Sequence, residues 1–136
     1  MNILEAILYA DDLDAAETFY SRLLDRSPFV KQEGRHVFYR LDSTMLLIFN
    51  PDASEHHHAD DHLPIPCHGA RGEGHVAFAV GQRELDHWRR RLAELEITIE
   101  QRIDWPHGAS SIYFRDPANN SIELATPSLW EFDETP

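Results

Sequence analysis

The chain carries one pattern twice, and that repeat restricts its fold more than any bulk property does. Leu4–Ala10 (LEAILYA) and Gly74–Val80 (GHVAFAV) are short apolar stretches with one polar residue at the second position, Glu5 and His75. Apolar residues at helical spacing come after each: Leu13, Ala16, Tyr20 and Leu23 in the first copy, Leu85, Trp88, Leu92 and Leu95 in the second. Extended segments come next. The first copy has His36–Leu41 and Thr44–Phe49; the second has Thr98–Ile103, Ser110–Arg115 and Ser121–Thr126. Matching positions drift slowly apart. Glu5 and His75 differ by 70, Leu13 and Leu85 by 72, Tyr39 and Tyr113 by 74, Pro51 and Pro127 by 76. Small loop insertions in a duplicated β-α-β-β-β unit produce that drift.

The expected fold is therefore α+β: two tandem modules whose mixed sheets curl around a groove. Module 1 covers about 1–52 and module 2 about 74–128 of a single 1–136 domain. The 53–73 stretch between them is polar and rich in Pro, Gly and His, has no periodicity, and reads as a linker with mobile parts. The tail carries Trp130 and Phe132 and is expected to dock in part.

Charge and cysteine content narrow the function classes. With 24 acidic and 12 basic residues the net charge is −12, which argues against nucleic acid and anionic membranes as partners. Cys67 is the single cysteine, so no intrachain disulfide forms, and a cytoplasmic location is expected. The apolar stretch at 3–10 is short and broken by Glu5, unlike a signal peptide or a membrane span.

Strand side chains alternate faces. With Leu4, Ala6 and Leu8 toward a helix, Glu5, Ile7 and Tyr9 face away; His75 and Glu123 fall on the corresponding face of their own strands. Two carboxylates and a neutral imidazole balance a divalent cation in formal charge, and one nitrogen with hard oxygens suits Fe, Mn, Ni or Zn. Without a cation, neighbouring carboxylates repel and one must stay protonated. A metal-free alternative pairs Glu5 with Arg40 or Arg115. Tyr9, Trp105, His107, Tyr113 and Arg115 are candidate substrate contacts. The histidines 56–58, His62 and His68 read as solvated surface, and no activating signature surrounds Cys67.

The first strand with LYADDLDAAETFYSRLL, then GHVAFAV, then YFRDPANNSIELATP, resembles the vicinal oxygen chelate superfamily of glyoxalases, bleomycin-resistance proteins and extradiol dioxygenases. That resemblance implies one divalent metal per site, held by Glu5, His75 and Glu123, with Glu5 and Glu123 also catalytic. The first position is more often His or Gln in such proteins, and the fourth ligand position of glyoxalase I is Leu47 here, which cannot ligate. The implied activity is a glyoxalase- or dioxygenase-like reaction on a small chelating substrate, in a homodimer. The alternative is a metal-free protein of the bleomycin-resistance type that sequesters its ligand.

Overall fold

The computed structural model describes residues 1–57 and 62–133. It is α+β, with two compact units, Met1–Gly74 and His75–Pro136. Unit 1 contains β1 (Glu5–Tyr9), α1 (Leu13–Leu24), β2 (Val30–Gln32), β3 (His36–Arg40), β4 (Met45–Phe49) and a short α2 (Pro51–Ser54). Its mixed sheet runs β1-β4-β3-β2, with β1 parallel to β4. Unit 2 contains β5 (His75–Ala79), α3 (Leu85–Glu94), β6 (Ile99–Asp104), β7 (Ser110–Arg115) and β8 (Ser121–Ala125). Its sheet runs β5-β8-β7-β6, with β5 parallel to β8. The two topologies are the same, as the sequence repeat requires.

Local chemistry explains the elements. Asp12 caps α1 by accepting from the Ala15 amide at 2.9 Å, and Asp14 and Arg22 complement the helix dipole. Ala16, Tyr20 and Leu23 form its buried stripe. Tyr39 is fully buried against them; its hydroxyl donates to the Glu17 carbonyl at 3.1 Å and meets Ser21 Oγ at 2.8 Å. A buried phenol without such partners would cost stability. In unit 2, Leu85 and Leu92 of α3 are buried, as are Ile122 and Leu124 of β8. Those two β8 residues occupy the positions that alternation assigns to the helix side, so Glu123 faces away.

The β7–β8 turn fixes the register of the last strand. Asp116 Oδ1 accepts from the Ala118 and Asn120 amides at 2.9 and 2.8 Å, and Oδ2 accepts from Asn120 Nδ2 at 2.9 Å. Asn119 takes the left-handed conformation at φ 67°, which asparagine tolerates.

Three features depart from what the sequence led one to expect. Strand β2 is three residues long and exposed, so no alternation announces it. The 53–73 stretch is not a plain linker: α2 runs into it, and residues 68–71 are strapped down. Arg71 bridges Asp52 and Glu55, the His68 amide donates to the Ser54 carbonyl at 3.0 Å, and Gly69 passes so near Glu55 that an added Cβ would meet Cγ at 2.5 Å. The tail aromatics Trp130 and Phe132 remain 73% and 70% exposed rather than docked.

The turn and the strap are both open to test. Asp116→Ala removes three hydrogen bonds from the turn and should lower unfolding free energy by roughly 2–4 kcal/mol, read from urea midpoints. The Arg71 hydrogen bond holds the Glu55 carboxyl below its ordinary value, with desolvation opposing. A depressed folded value means the clasp is complete above the ordinary glutamate range and is lost as pH falls through the folded value. Hydrogen-exchange protection of the His68 amide should therefore drop between pH 6 and about pH 3. In Glu55→Gln it should be low at both; unchanged protection in that variant would show that the clasp does not hold the strap.

Candidate metal centre

His75 opens β5, and the parallel register sets Ser121 opposite it and Glu123 opposite Ala77. The imidazole and the carboxylate therefore share a face of the sheet. His75 Nδ1 lies 3.0 Å from the Ser121 carbonyl oxygen. A carbonyl only accepts, so Nδ1 carries the hydrogen and donates. In the neutral ring Nε2 then presents a lone pair, and this atom lies 3.2 Å from Glu123 Oε2. Two lone pairs so placed repel. A cation, whether a proton on Nε2 or a metal ion, relieves the repulsion.

Glu123 is only 5% exposed, while the His75 side chain is about half exposed. Tyr113 stands across from Glu123 in the β7–β8 pair and donates its hydroxyl to Oε1 at 2.8 Å. Burial raises the Tyr113 phenol above its ordinary value, the Glu123 hydrogen bond raises it further, and the Ser111 hydroxyl opposes. The phenol thus stays protonated and holds one carboxylate oxygen, leaving Oε2 toward His75. The tyrosine ring also lies nearly parallel to the imidazole, at 6.4 Å between centroids. Fully buried Ser111 accepts from Trp105 Nε1 at 2.8 Å and ties the half-buried indole to β7.

This donor set fits a divalent cation. A ligating histidine characteristically donates its second nitrogen to a carbonyl or carboxylate, which fixes ring and tautomer, and a ligating carboxylate is itself hydrogen-bonded. Both conditions are met before any ion is considered. Unit 2 supplies only two donors, however, and among the described residues no group of three His, Cys, Asp or Glu side chains converges.

The third expected donor, Glu5, lies in unit 1. It opens β1 opposite Met45 in a parallel pair, the position His75 holds in unit 2, and Leu47 holds the position of Glu123. Glu5 is exposed, because β1 is the outer strand of its sheet and Glu5 faces away from α1. Within unit 1, Glu5 does not pair with Arg40. Arg40 sits over the Phe29 ring at 5.8 Å, and among the described residues of unit 1 Glu5 has no ion pair; in unit 2 Arg115 binds Glu100 at 2.6 and 3.1 Å.

The candidate substrate contacts belong to both units. Trp105, Tyr113 and Arg115 belong to unit 2, with Arg115 held by Glu100. His107 is exposed in a short turn at φ 72°. Tyr9 lies in unit 1, its hydroxyl 2.7 Å from His68 Nδ1. His68 is thus not solvated surface; it is half-buried and packs edge-on against Phe49 at 4.6 Å. His56, His57 and His62 are exposed as expected, and His58 lies outside the described residues. Ser111 is a site residue that the sequence motifs do not single out, although it shares the Tyr113–Arg115 side of β7 and alternation marks it.

Comparison with known proteins identifies the family. The model of the Glyoxalase/Bleomycin resistance protein/Dioxygenase superfamily matches residues 2–124. The chain belongs to that superfamily. Lactoylglutathione lyase from Agrobacterium tumefaciens superposes with a TM-score of 0.90 at 44% identity, covering 96% of this chain and 97% of that one. Metallothiol transferase FosB of Bacillus licheniformis is 26% identical over 132 residues, 96% of this chain and 79% of its own length. FosB of Shouchella clausii is 25% identical over 123 residues, 88% and 76% of the two lengths.

Tyr113→Phe keeps the ring and removes the hydroxyl from Glu123 Oε1. Divalent-ion affinity, titrated with Co(II) by absorbance, should fall by about 10- to 100-fold with the melting temperature nearly unchanged. Equal affinity would show that Tyr113 does not orient the carboxylate.

Proposed function

We propose that this chain is a divalent-metal-dependent enzyme of the glyoxalase type, with a small substrate that presents two adjacent oxygens. The observation that carries this reading is the His75 Nε2 lone pair set 3.2 Å from Glu123 Oε2, each group already oriented by a partner of its own. His75 and Glu123 would hold the ion, with Glu5 as third ligand; Fe, Mn, Ni or Zn suits that set. A bound divalent ion supplies a Lewis acid that polarises a chelated oxygen pair.

The names of the relatives point to substrates joined to a thiol, one a lactoylglutathione lyase and the other a metallothiol transferase. We therefore place the hemithioacetal of a 2-oxoaldehyde first among substrates. Its conversion to a 2-hydroxy thioester moves one proton from the sulfur-bearing carbon to its neighbour and the hydroxyl proton from one of the adjacent oxygens to the other, and needs no external oxidant. Glu123 is committed to Tyr113, so Glu5 is the carboxylate assigned to take that proton and return it. Trp105, Tyr113 and His107 would contact the substrate. The assembly proposed is a homodimer in which Glu5 of one protomer joins His75 and Glu123 of its partner.

Protein purified without an affinity tag should contain roughly one divalent ion per chain by elemental analysis. Glu123→Gln and His75→Ala should lose it, and replacing His56, His57 and His62 together should not. A chelator should abolish turnover of the glutathione–methylglyoxal hemithioacetal and added metal should restore it. Turnover of a catechol instead would move the reading to a dioxygenase, and tight metal-independent binding of a cationic glycopeptide would move it to sequestration. Mixing Glu5→Ala with His75→Ala chains should restore about a quarter of the sites in a statistical dimer population. No recovery after proven exchange would place each site within a single chain.

A further inference from the structure

Trp105, Ser111, Tyr113 and Glu123 of unit 2 stand in one hydrogen-bonded row, and the chemistry of its ends fixes its direction. Trp105 Nε1 donates to Ser111 Oγ at 2.8 Å, and the Tyr113 hydroxyl donates to Glu123 Oε1 at 2.8 Å. An indole nitrogen only donates, so Ser111 Oγ is the acceptor there and its single hydrogen is left for another partner. Tyr113 gives its own hydrogen to Glu123, so its oxygen is left to accept. Ser111 and Tyr113 are two residues apart on β7 and share its face. Burial and the Glu123 bond raise the phenol, and the hydrogen bond from Ser111 opposes them, which is the effect of a donor to the phenol oxygen. Ser111 is fully buried, so water does not compete for that hydrogen.

The hairpin end that carries the indole has contacts of its own. The Trp105 amide donates to the Ala109 carbonyl at 2.8 Å, and Ser110, on the other face of β7, donates from Oγ to Asp104 Oδ1 at 2.9 Å. Unit 1 offers an internal comparison. Leu47 pairs with Phe38 and Phe49 with His36, as Glu123 pairs with Tyr113 and Ala125 with Ser111. Strand pairing thus matches Tyr113 to Phe38, not to Tyr39 as the sequence offset suggests, and Ser111 to His36. Where leucine replaces the carboxylate, the phenol and the hydroxyl are replaced as well. The row accompanies the carboxylate; the β-α-β-β-β topology does not demand it.

We infer that Ser111 is a positioning residue for Glu123: it takes the Trp105 indole hydrogen, gives its own to Tyr113, and so turns three donors in one direction toward the carboxylate. Hydrogen bonds in such a row polarise one another, which strengthens the last of them. Oε1 is held at the end of the row and Oε2 is left toward His75. The role at an ion rests on the proposed metal site, whereas the row itself is present without metal and is testable there.

Co(II) titration of the parent, the two single variants and the double variant reads the row as a double-mutant cycle. Ser111→Ala should weaken Co(II) about three- to tenfold in the parent, and should leave affinity unaltered in the Tyr113→Phe background, where the phenol oxygen that carries its effect is gone. Ser110→Ala removes a neighbouring buried hydroxyl outside the row and should leave affinity unaltered. In metal-free protein, Trp105→Phe identifies the Trp105 indole N–H resonance among those of the three tryptophans. Tyr113→Phe keeps the ring and should move that resonance, because Ser111 loses its acceptor. Equal Co(II) loss in both backgrounds, equal loss in the Ser110 and Ser111 variants, no loss in Ser111→Ala, or an unmoved indole resonance would each overturn the assignment. A parent that binds no Co(II) but shows the moved resonance would overturn the metal reading and leave the row standing. The same resonance decides the matter if Ser111→Ala fails to fold.

Discussion

The parallel pairing of β5 with β8 is the constraint from which the chemistry of unit 2 descends. It sets His75 beside the Ser121 carbonyl and, two residues along, brings Glu123 to the same face. A slip of one residue would turn Glu123 into the helix-packed interior and bring Ile122 or Leu124 out. That exchange would expose two buried aliphatic side chains and bury a carboxylate among apolar groups, each unfavourable by more than about 1 kcal/mol. Hydrophobic burial on one face thus positions polar groups on the other. The Asp116 turn assists by closing β7 onto β8 at one fixed length.

Unit 1 shows what the same topology becomes with different residues at matching positions. Where unit 2 has Glu123, unit 1 has Leu47, buried at 6% exposure. No histidine–carboxylate pair forms on that sheet among the described residues. Its corresponding face carries Phe38 and Phe49, with His36 stacked on Phe38, and His68 from the strapped segment closes the cluster. The two halves therefore share backbone pairing while their outward faces differ, one carrying a histidine–carboxylate pair and the other rings.

Much of this is legible in the sequence because it is periodic. Alternation along β1, β5 and β8 identifies the shared face of His75 and Glu123, and helical spacing locates the stripes of α1 and α3. Strand β2 is not legible: three exposed residues carry no alternation, and their pairing with β3 is a property of the partner strand. The strap is hidden for another reason. Arg71 finds Asp52 and Glu55 sixteen or more positions away, and no local pattern records such a pairing. Composition misplaces His68 with its solvated neighbours because it describes a segment, whereas a single side chain in that segment reaches Tyr9. The exposure of Glu5 is hidden as well, because apolar content marks a strand without saying where it lies, and an outer strand is as apolar as an inner one.

The acidity of the chain bears on ligand choice less than the net charge of −12 suggests. At physiological ionic strength the screening length is about 8 Å, so most of those carboxylates do not act on a bound molecule. Groups within one or two contact distances decide. At the unit 2 site these are His75 Nε2 and the buried Glu123 carboxylate, an arrangement that favours a cation. Long-range repulsion slows the approach of an anion and is relieved by salt, while the local charges set how long it stays. An acidic protein can therefore hold a ligand of either charge wherever the groups in contact with it suit that charge.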